Sequence, residues 1–168
     1  MSADLFYAQQ SWFLIVVDHY SKFPFVRKLN NLSTGAVVKE INTIFAENGI
    51  QETLQCANNP QFTSVEFQQP ASQYGFNIIM SSPHYPRGHG LVEHQVQTVK
   101  RFILECGETR EDIDLALLAP RTTPLSPNIA LPAELLSGRI FLICRFAIGQ
   151  ASCLICARSR QLTFPFCC

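Results

Sequence analysis

Imidazole nitrogens are common ligands of divalent metals, and three of the four histidines of this chain are close together in sequence. His84, His89 and His94 lie in or beside segment 81–90, whose two prolines and two glycines predict a loop. A zinc site of this kind needs a cysteine pair or a second histidine one helical turn away. Because neither accompanies these histidines at that spacing, we interpret the cluster as chance.

The C-terminal segment contains the other concentration of metal-binding side chains. Residues 140–168 hold five of the seven cysteines, four of them in the pairs Cys153-x-x-Cys156 and Cys167-Cys168. Structural zinc sites use two well-spaced pairs, and adjacent cysteines have poor geometry for this purpose, so we predict no zinc. Seven cysteines fit free thiols in a reducing compartment better than a disulfide framework.

The distribution of charge divides the chain into two unlike parts. Thirteen basic and thirteen acidic residues cancel, which excludes a global field that draws the chain to DNA or to an acidic membrane. All thirteen acids precede residue 140, whereas residues 140–168 contain three arginines. A hydrophobic content of 47% excludes intrinsic disorder. We predict one domain over residues 1–139 and an unassigned, cysteine-rich apolar tail over 140–168.

No segment has the features of a membrane anchor or a secretory signal. The longest apolar stretch, Ile140–Cys156, is interrupted by Arg145 and Gln150 and falls short of the ~20 residues of a membrane span. The early Asp4 and the short apolar run Phe13–Val17 do not fit a signal peptide. The sequence therefore predicts no membrane partner and an intracellular location, nuclear or cytoplasmic.

Hydrophobic patterning predicts an α/β domain with a mixed sheet. The apolar run Trp12–Val17 is typical of a strand buried on both faces, and Asp18 at its end is interpreted as structural. The other expected elements are strands at Phe25–Leu29, Glu52–Ala57 and Asn77–Met80 and helices at Ser33–Asn48, from Thr63-Ser-Val-Glu66 onward, at Leu91–Cys106, at Glu111–Ala119 and at Pro132–Leu136.

Prolines and glycines are expected to limit three of these helices. Pro70 is predicted to break or kink the helix that begins at Thr63, because proline in a helix interior costs ~3 kcal/mol. Gly107 is expected to end the long helix that begins at Leu91, and Pro120 the helix after it.

Five segments in this order carry a resemblance to a known family: LIVVDHYSKFPFVRKL, NNPQFTSVEF, SSPHYPRGHGLVEHQVQTVKR, LALLAPRTTPLSP and PAELLSGR. Together they resemble the integrase catalytic core of retroviruses and gypsy-type LTR retrotransposons, over roughly Ala3 to Arg139. The resemblance implies a ribonuclease H-like fold, a five-stranded mixed sheet flanked by helices. The order of elements read from the patterning agrees with it.

The resemblance also implies a metal site. Members of the family hold two Mg²⁺ or Mn²⁺ ions with three carboxylates, which suits phosphodiester chemistry because two metals stabilise both the attacking and the leaving oxygen. The motif DLF places Asp4 at the first position, and HGLVE places Glu93 at the third. In CANNPQF the second position is Ala57, and 35 residues lie between it and Glu93, the separation that the family favours. A methyl group thus replaces a metal-binding carboxylate.

A second implication of the resemblance is a nucleic-acid surface. His89, Gln97 and Lys100 stand at −4, +4 and +7 from Glu93, and residues at +4 and +7 share its helix face. In the family this face meets the DNA end, so Lys100 and Arg101 are candidates for phosphate contacts.

The sequence therefore predicts a retroelement-derived integrase core fragment that is catalytically inactive. It is expected to bind Mg²⁺ or Mn²⁺ weakly or not at all, to retain at most weak DNA binding, and to use no small-molecule substrate. Its first strand is expected to be clipped, since Asp4 lies so near the start. Two alternatives stay open: an active metal-dependent nuclease or strand transferase, which needs a substitute for Ala57, and a protein-interaction scaffold that forms a homodimer through the core.

Overall fold

The computed structural model of this chain describes residues 1–80, 90–109, 113–124, 126 and 129–139. For residues 90–93, 95 and 106–109 it describes the backbone. The predicted loop 81–89, with His84 and His89, and the tail 140–168 lie outside the described residues. Of the helices in the described part, none combines the length and hydropathy needed to cross a bilayer.

Five strands form one mixed sheet in the spatial order β3-β2-β1-β4-β5. Neighbours β1, β2 and β3 pair antiparallel, whereas β4 pairs parallel with both β1 and β5. The prediction of a five-stranded mixed sheet flanked by helices is therefore confirmed. The strands are β1 Ser2–Ala8, β2 Ser11–Val17, β3 Pro24–Leu29, β4 Thr53–Cys56 and β5 Asn77–Met80.

Seven helices are described, and the first shows how local sequence sets its ends. The Ser33 hydroxyl accepts a hydrogen bond from the Ala36 N–H at 3.2 Å, and Gly49 ends the helix with φ at 87°. The helices are α1 Thr34–Asn48, α2 Pro60–Thr63, α3 Val65–Tyr74, α4 Gly90–Thr109, α5 Ile113–Ala116, α6 Leu118–Thr122 and α7 Pro132–Ser137.

Helix α3 corrects two expectations. It is capped by Ser64, one residue later than predicted, whose hydroxyl accepts from the Phe67 N–H at 3.3 Å. Pro70 does not break it, since α3 continues to Tyr74; the alternative expectation, a kink at Pro70, stays a prediction. The proline removes one helical hydrogen bond, while Phe67 and Ala71, on either side of it, are buried in the core and hold both halves in place.

Two further predicted helix ends are wrong. Gly107 does not end α4, which continues to Thr109, because an interior glycine costs only ~1 kcal/mol. Pro120 lies in the first turn of α6, where its missing N–H would have had no helical acceptor. The single helix expected at Glu111–Ala119 is instead described as the two short helices α5 and α6.

Alternation along the strands sends side chains to two faces of the sheet. Ala3 and Leu5 pack with α1 and α3 in the larger hydrophobic cluster. Phe6 and Ala8 pack with α4 in the smaller cluster, whose buried members from α4 are Val96, Val99 and Ile103. By the same alternation Asp4 faces α4, so the carboxylate lies between the sheet and the helix predicted to complete the site.

Candidate metal and nucleic-acid site

Strand pairing brings the first two predicted site positions together. Ala3 is in register with Cys56 on parallel strand β4, and the Ala57 N–H continues this ladder with a 3.0 Å hydrogen bond to the Ala3 carbonyl. Asp4 and Ala57 are therefore neighbours. Because Cys56 lies in the cluster under α1 and α3, alternation directs Ala57 to the α4 face, as it does Asp4.

The Asp4 carboxylate already has partners on both oxygens. Its Oδ2 lies 2.7 Å from the Lys100 ammonium nitrogen. Its Oδ1 accepts from the Leu5 N–H at 2.8 Å and from the Asn59 side-chain amide at 3.4 Å. A cation thus compensates the charge of this carboxylate, and an amide contacts it from the loop after β4.

Lys100 is held in this position by its surroundings as well as by charge. Its ammonium nitrogen lies 5.5 Å from the centre of the Phe6 ring, a cation–π contact. The side chains of Lys100 and Asp4 are only 21% and 25% exposed, so water screens their attraction less than at an open surface. The Gln9 amide fixes the same part of α4 to the β1–β2 turn by donating to the Ile103 carbonyl at 2.6 Å.

The structure describes the remaining predicted site residues to different extents. Glu93 lies in the first turn of α4, and residue 93 shares a helix face with Lys100. Its side chain is not among those described, so its proximity to Asp4 stays a prediction; His89 lies outside the described residues. Gln97 and Arg101 are exposed, and Arg101 Nε lies 3.6 Å from the Glu105 carboxylate.

The described residues do not fit the two-metal centre that the family resemblance implies. No group of three or more histidine, cysteine, aspartate or glutamate side chains that could hold a metal occurs among them. Ala57 offers no ligand, and Asp4 has an ammonium group as its partner. Within the described part of the chain, the side chains around Asp4 suit a cationic side chain better than a divalent ion.

Two other groups near these strands have structural roles. The Asp18 carboxylate closes the turn after β2 by accepting from both the N–H and the hydroxyl of Ser21 at 2.8 Å, in agreement with the structural interpretation. Burial raises the pKa of the Cys56 thiol to about 12. That thiol is neutral at physiological pH and is neither a nucleophile nor a metal ligand there.

Sequence reasoning missed the contact between Asn59 and Asp4. Asn59 precedes Pro60 at the start of α2, a pattern that predicts a helix cap. Its side chain makes no capping hydrogen bond and instead reaches Asp4. The parallel pairing of β1 and β4 brings Asp4 close enough to be this alternative partner, and nothing in the local sequence of either strand indicates it.

Comparisons with known proteins agree on one family. Residues 1–86 match the family model described as Integrase core domain. An uncharacterized protein of Caenorhabditis elegans is 32% identical over 133 residues, or 76% of this chain. The Gag-Pro-Pol polyprotein of sheep pulmonary adenomatosis virus is 28% identical over 91 residues, or 54% of this chain. The chain spans only 10% and 5% of the lengths of these two relatives.

Solved structures show the same fold. The catalytic core domain of BIV integrase superposes with a TM-score of 0.68 at 16% identity, over 80% of this chain and 91% of that domain. A simian T-cell lymphotropic virus intasome, solved with a PP2A regulatory subunit, gives a TM-score of 0.68 at 15% identity, over 92% of this chain and 58% of that one. The expected ribonuclease H-like fold is therefore confirmed.

Proposed function

Since this chain belongs to the integrase core domain family, we propose that it is a retroelement-derived integrase core that has lost metal-dependent cleavage and strand transfer. The observation that carries this proposal is the position of Ala57. It adjoins Asp4 in the parallel pair β1–β4, where the family resemblance expects the second carboxylate.

Charge at the site supports the same conclusion. Two divalent ions ~3.5–4 Å apart need several converging carboxylates to offset their repulsion. Here a methyl group stands beside Asp4, and the nearest described partner of that carboxylate is the Lys100 ammonium. An incoming metal ion would lack one ligand. It would also be repelled by this ammonium group and would have to displace it from Asp4.

The proposed remaining function is weak, sequence-independent binding of nucleic acid along α4. Gln97 and Arg101 are exposed there, and Lys100 lies one residue before Arg101 on the same helix. Contacts of these groups would be to phosphates, which fix position without reading sequence. Substituting Lys100 and Arg101 together by alanine should lower affinity equally for unrelated DNA sequences, as measured by fluorescence anisotropy.

The lost chemistry is tested by nicking and strand-transfer assays of the full chain with Mg²⁺ and with Mn²⁺. No product above background is expected. Metal-dependent nicking by the wild-type chain that disappears in Asp4→Asn would overturn the proposal.

The role of Ala57 is tested by calorimetric titration of Mn²⁺. Ala57→Asp should tighten binding, because it adds a charged oxygen ligand beside Asp4. The matched control is Asn58→Asp, which adds the same charge one residue further along the chain, and Glu93→Gln is combined with each variant. If Ala57→Asp and Asn58→Asp bind Mn²⁺ equally, position 57 is not part of the site.

A further inference from the structure

The ion pair between Asp4 and Lys100 joins two groups for which the proposed function has opposite uses. Asp4 stands at the position of a metal ligand, and Lys100 belongs to the face of α4 assigned to nucleic acid. Their 2.7 Å contact gives each group a partner inside the protein. We propose that Asp4 acts as an internal anion that competes with phosphate for the Lys100 ammonium, and so lowers the affinity of this domain for nucleic acid.

The geometry supports competition rather than a shared complex. Lys100 also lies over the Phe6 ring, so its side chain is directed down toward the sheet. Only 21% of that side chain is exposed. An ammonium group has three donors, but a phosphate on the outside of α4 can be reached only if the side chain leaves Asp4 and extends into solvent.

Chemistry explains why the carboxylate is an effective competitor. A carboxylate and a phosphate oxygen both form short, charge-assisted hydrogen bonds with an ammonium group. Forming the internal pair costs no translational freedom, whereas binding a phosphate from solution does. The pair is also three-quarters buried, where water screens the attraction between charges less. Asn59 donates to Oδ1, and the Leu5 N–H does too, so the carboxylate is held in a fixed orientation toward Lys100.

This inference rests on the proposed phosphate contact of Lys100, and its test is the salt dependence of DNA affinity for the full chain. Asp4→Asn preserves shape and removes the charge that holds Lys100. The freed ammonium should raise affinity about five-fold at low salt and steepen the slope of log K against log salt by about 0.9, the contribution of one phosphate contact.

A matched control separates this effect from a change of net charge. Glu52→Gln removes the same charge at an exposed position just before β4, about 16 Å from Ala57 along the strand direction. At 0.1 M salt that distance exceeds the Debye length of about 10 Å, so affinity should change less than about two-fold. Equal effects of Asp4→Asn and Glu52→Gln would overturn the inference.

A second background tests whether Lys100 transmits the effect. In Lys100→Met, Asp4→Asn should change affinity no more than Glu52→Gln does. If Asp4→Asn still raises affinity there, Asp4 merely repels phosphate and the inference is wrong. It is equally wrong if none of the variants binds DNA.

A measurement on the wild-type chain covers the case in which a variant fails to fold. Acetylation followed by mass spectrometry should modify Lys100 about ten-fold more slowly than exposed Lys39, because a paired, three-quarters buried ammonium is a poor nucleophile. Equal rates would overturn the inference. Nicking activity, in contrast, would refute the proposed loss of metal chemistry without altering these salt slopes, so the two failures are distinguishable.

Discussion

The two faces of the sheet are built on different principles. The face under α1 and α3 is apolar throughout its buried cluster and is filled by aromatic pairs such as Phe62 and Phe67, whose ring centres are 5.1 Å apart. The face under α4 is apolar at one end and carries the Asp4–Lys100 ion pair beside Phe6 at the other. The comparison indicates that apolar packing stabilises both faces, whereas only the face under α4 carries the charged pair on which the proposed nucleic-acid binding depends.

The largest effect is expected from truncation on the apolar face. Phe67→Ala should lower the free energy of unfolding by about 3–5 kcal/mol, because Phe67 is almost fully buried and its loss leaves a cavity. Denaturant unfolding measures this change. DNA affinity below the unfolding transition should stay within about two-fold of the wild type, because the substitution leaves the solvent-facing side chains of α4 unchanged. A large loss of affinity would mean that the two faces are not independent.

A pH effect is expected from the same face. The folded pKa of Cys56 is raised from 9.0 to about 12 by burial, so the folded state retains the thiol proton more tightly than the unfolded state. The stability from this group is fully present below pH 9 and is lost as pH rises toward 12, by about 1.4 kcal/mol per pH unit. The slope should flatten in Cys56→Ala, as measured by unfolding at pH 8 to 11. Parallel curves for the two proteins would contradict it.

The loss of stability on disrupting the charged face should be smaller, and a second substitution should reverse most of it. Lys100→Met is expected to lower the free energy of unfolding by about 1–2 kcal/mol, because it leaves the partly buried Asp4 carboxylate without its cation. The double variant Asp4→Asn with Lys100→Met should recover most of that loss. Thermal unfolding of all four proteins gives the coupling energy, and simple additivity would show that the pair is not energetically linked.

The smallest effect concerns the turn that joins β1 to β2. Gln9 and Gln10 have φ values of 48° and 56°, in the left-handed region that two-residue hairpin turns require. Gln10→Gly should raise the free energy of unfolding by about 0.5 kcal/mol, because glycine adopts this conformation without strain. Gln9 is left unchanged in this test because its side-chain amide donates a hydrogen bond to the Ile103 carbonyl. A destabilised Gln10→Gly would indicate that the Gln10 side chain has an uncounted role.

Local patterns predicted the elements whose ends depend on their own residues. The Ser33 cap and Asn48 end of α1 were predictable because capping is satisfied within one turn, and strand β5 was predicted at Asn77–Met80. The break expected at Pro70 was wrong because the cost of one lost hydrogen bond is local, whereas the burial of Phe67 that outweighs it is tertiary.

The sequence by itself determined the family resemblance and most of the α/β order, and it predicted that Ala57 stands at the second site position, since motif spacing and periodicity are properties of the chain alone. Strand β1 was not read from periodicity and was implied only by the resemblance. Only the tertiary structure decided which group meets the Asp4 carboxylate. Lys100 is 96 residues away along the chain and reaches Asp4 because Val96, Val99 and Ile103 dock α4 on the sheet. Its charge, read from sequence as a contact for phosphate, is first satisfied inside the protein, because its carboxylate partner among the described side chains lies on β1.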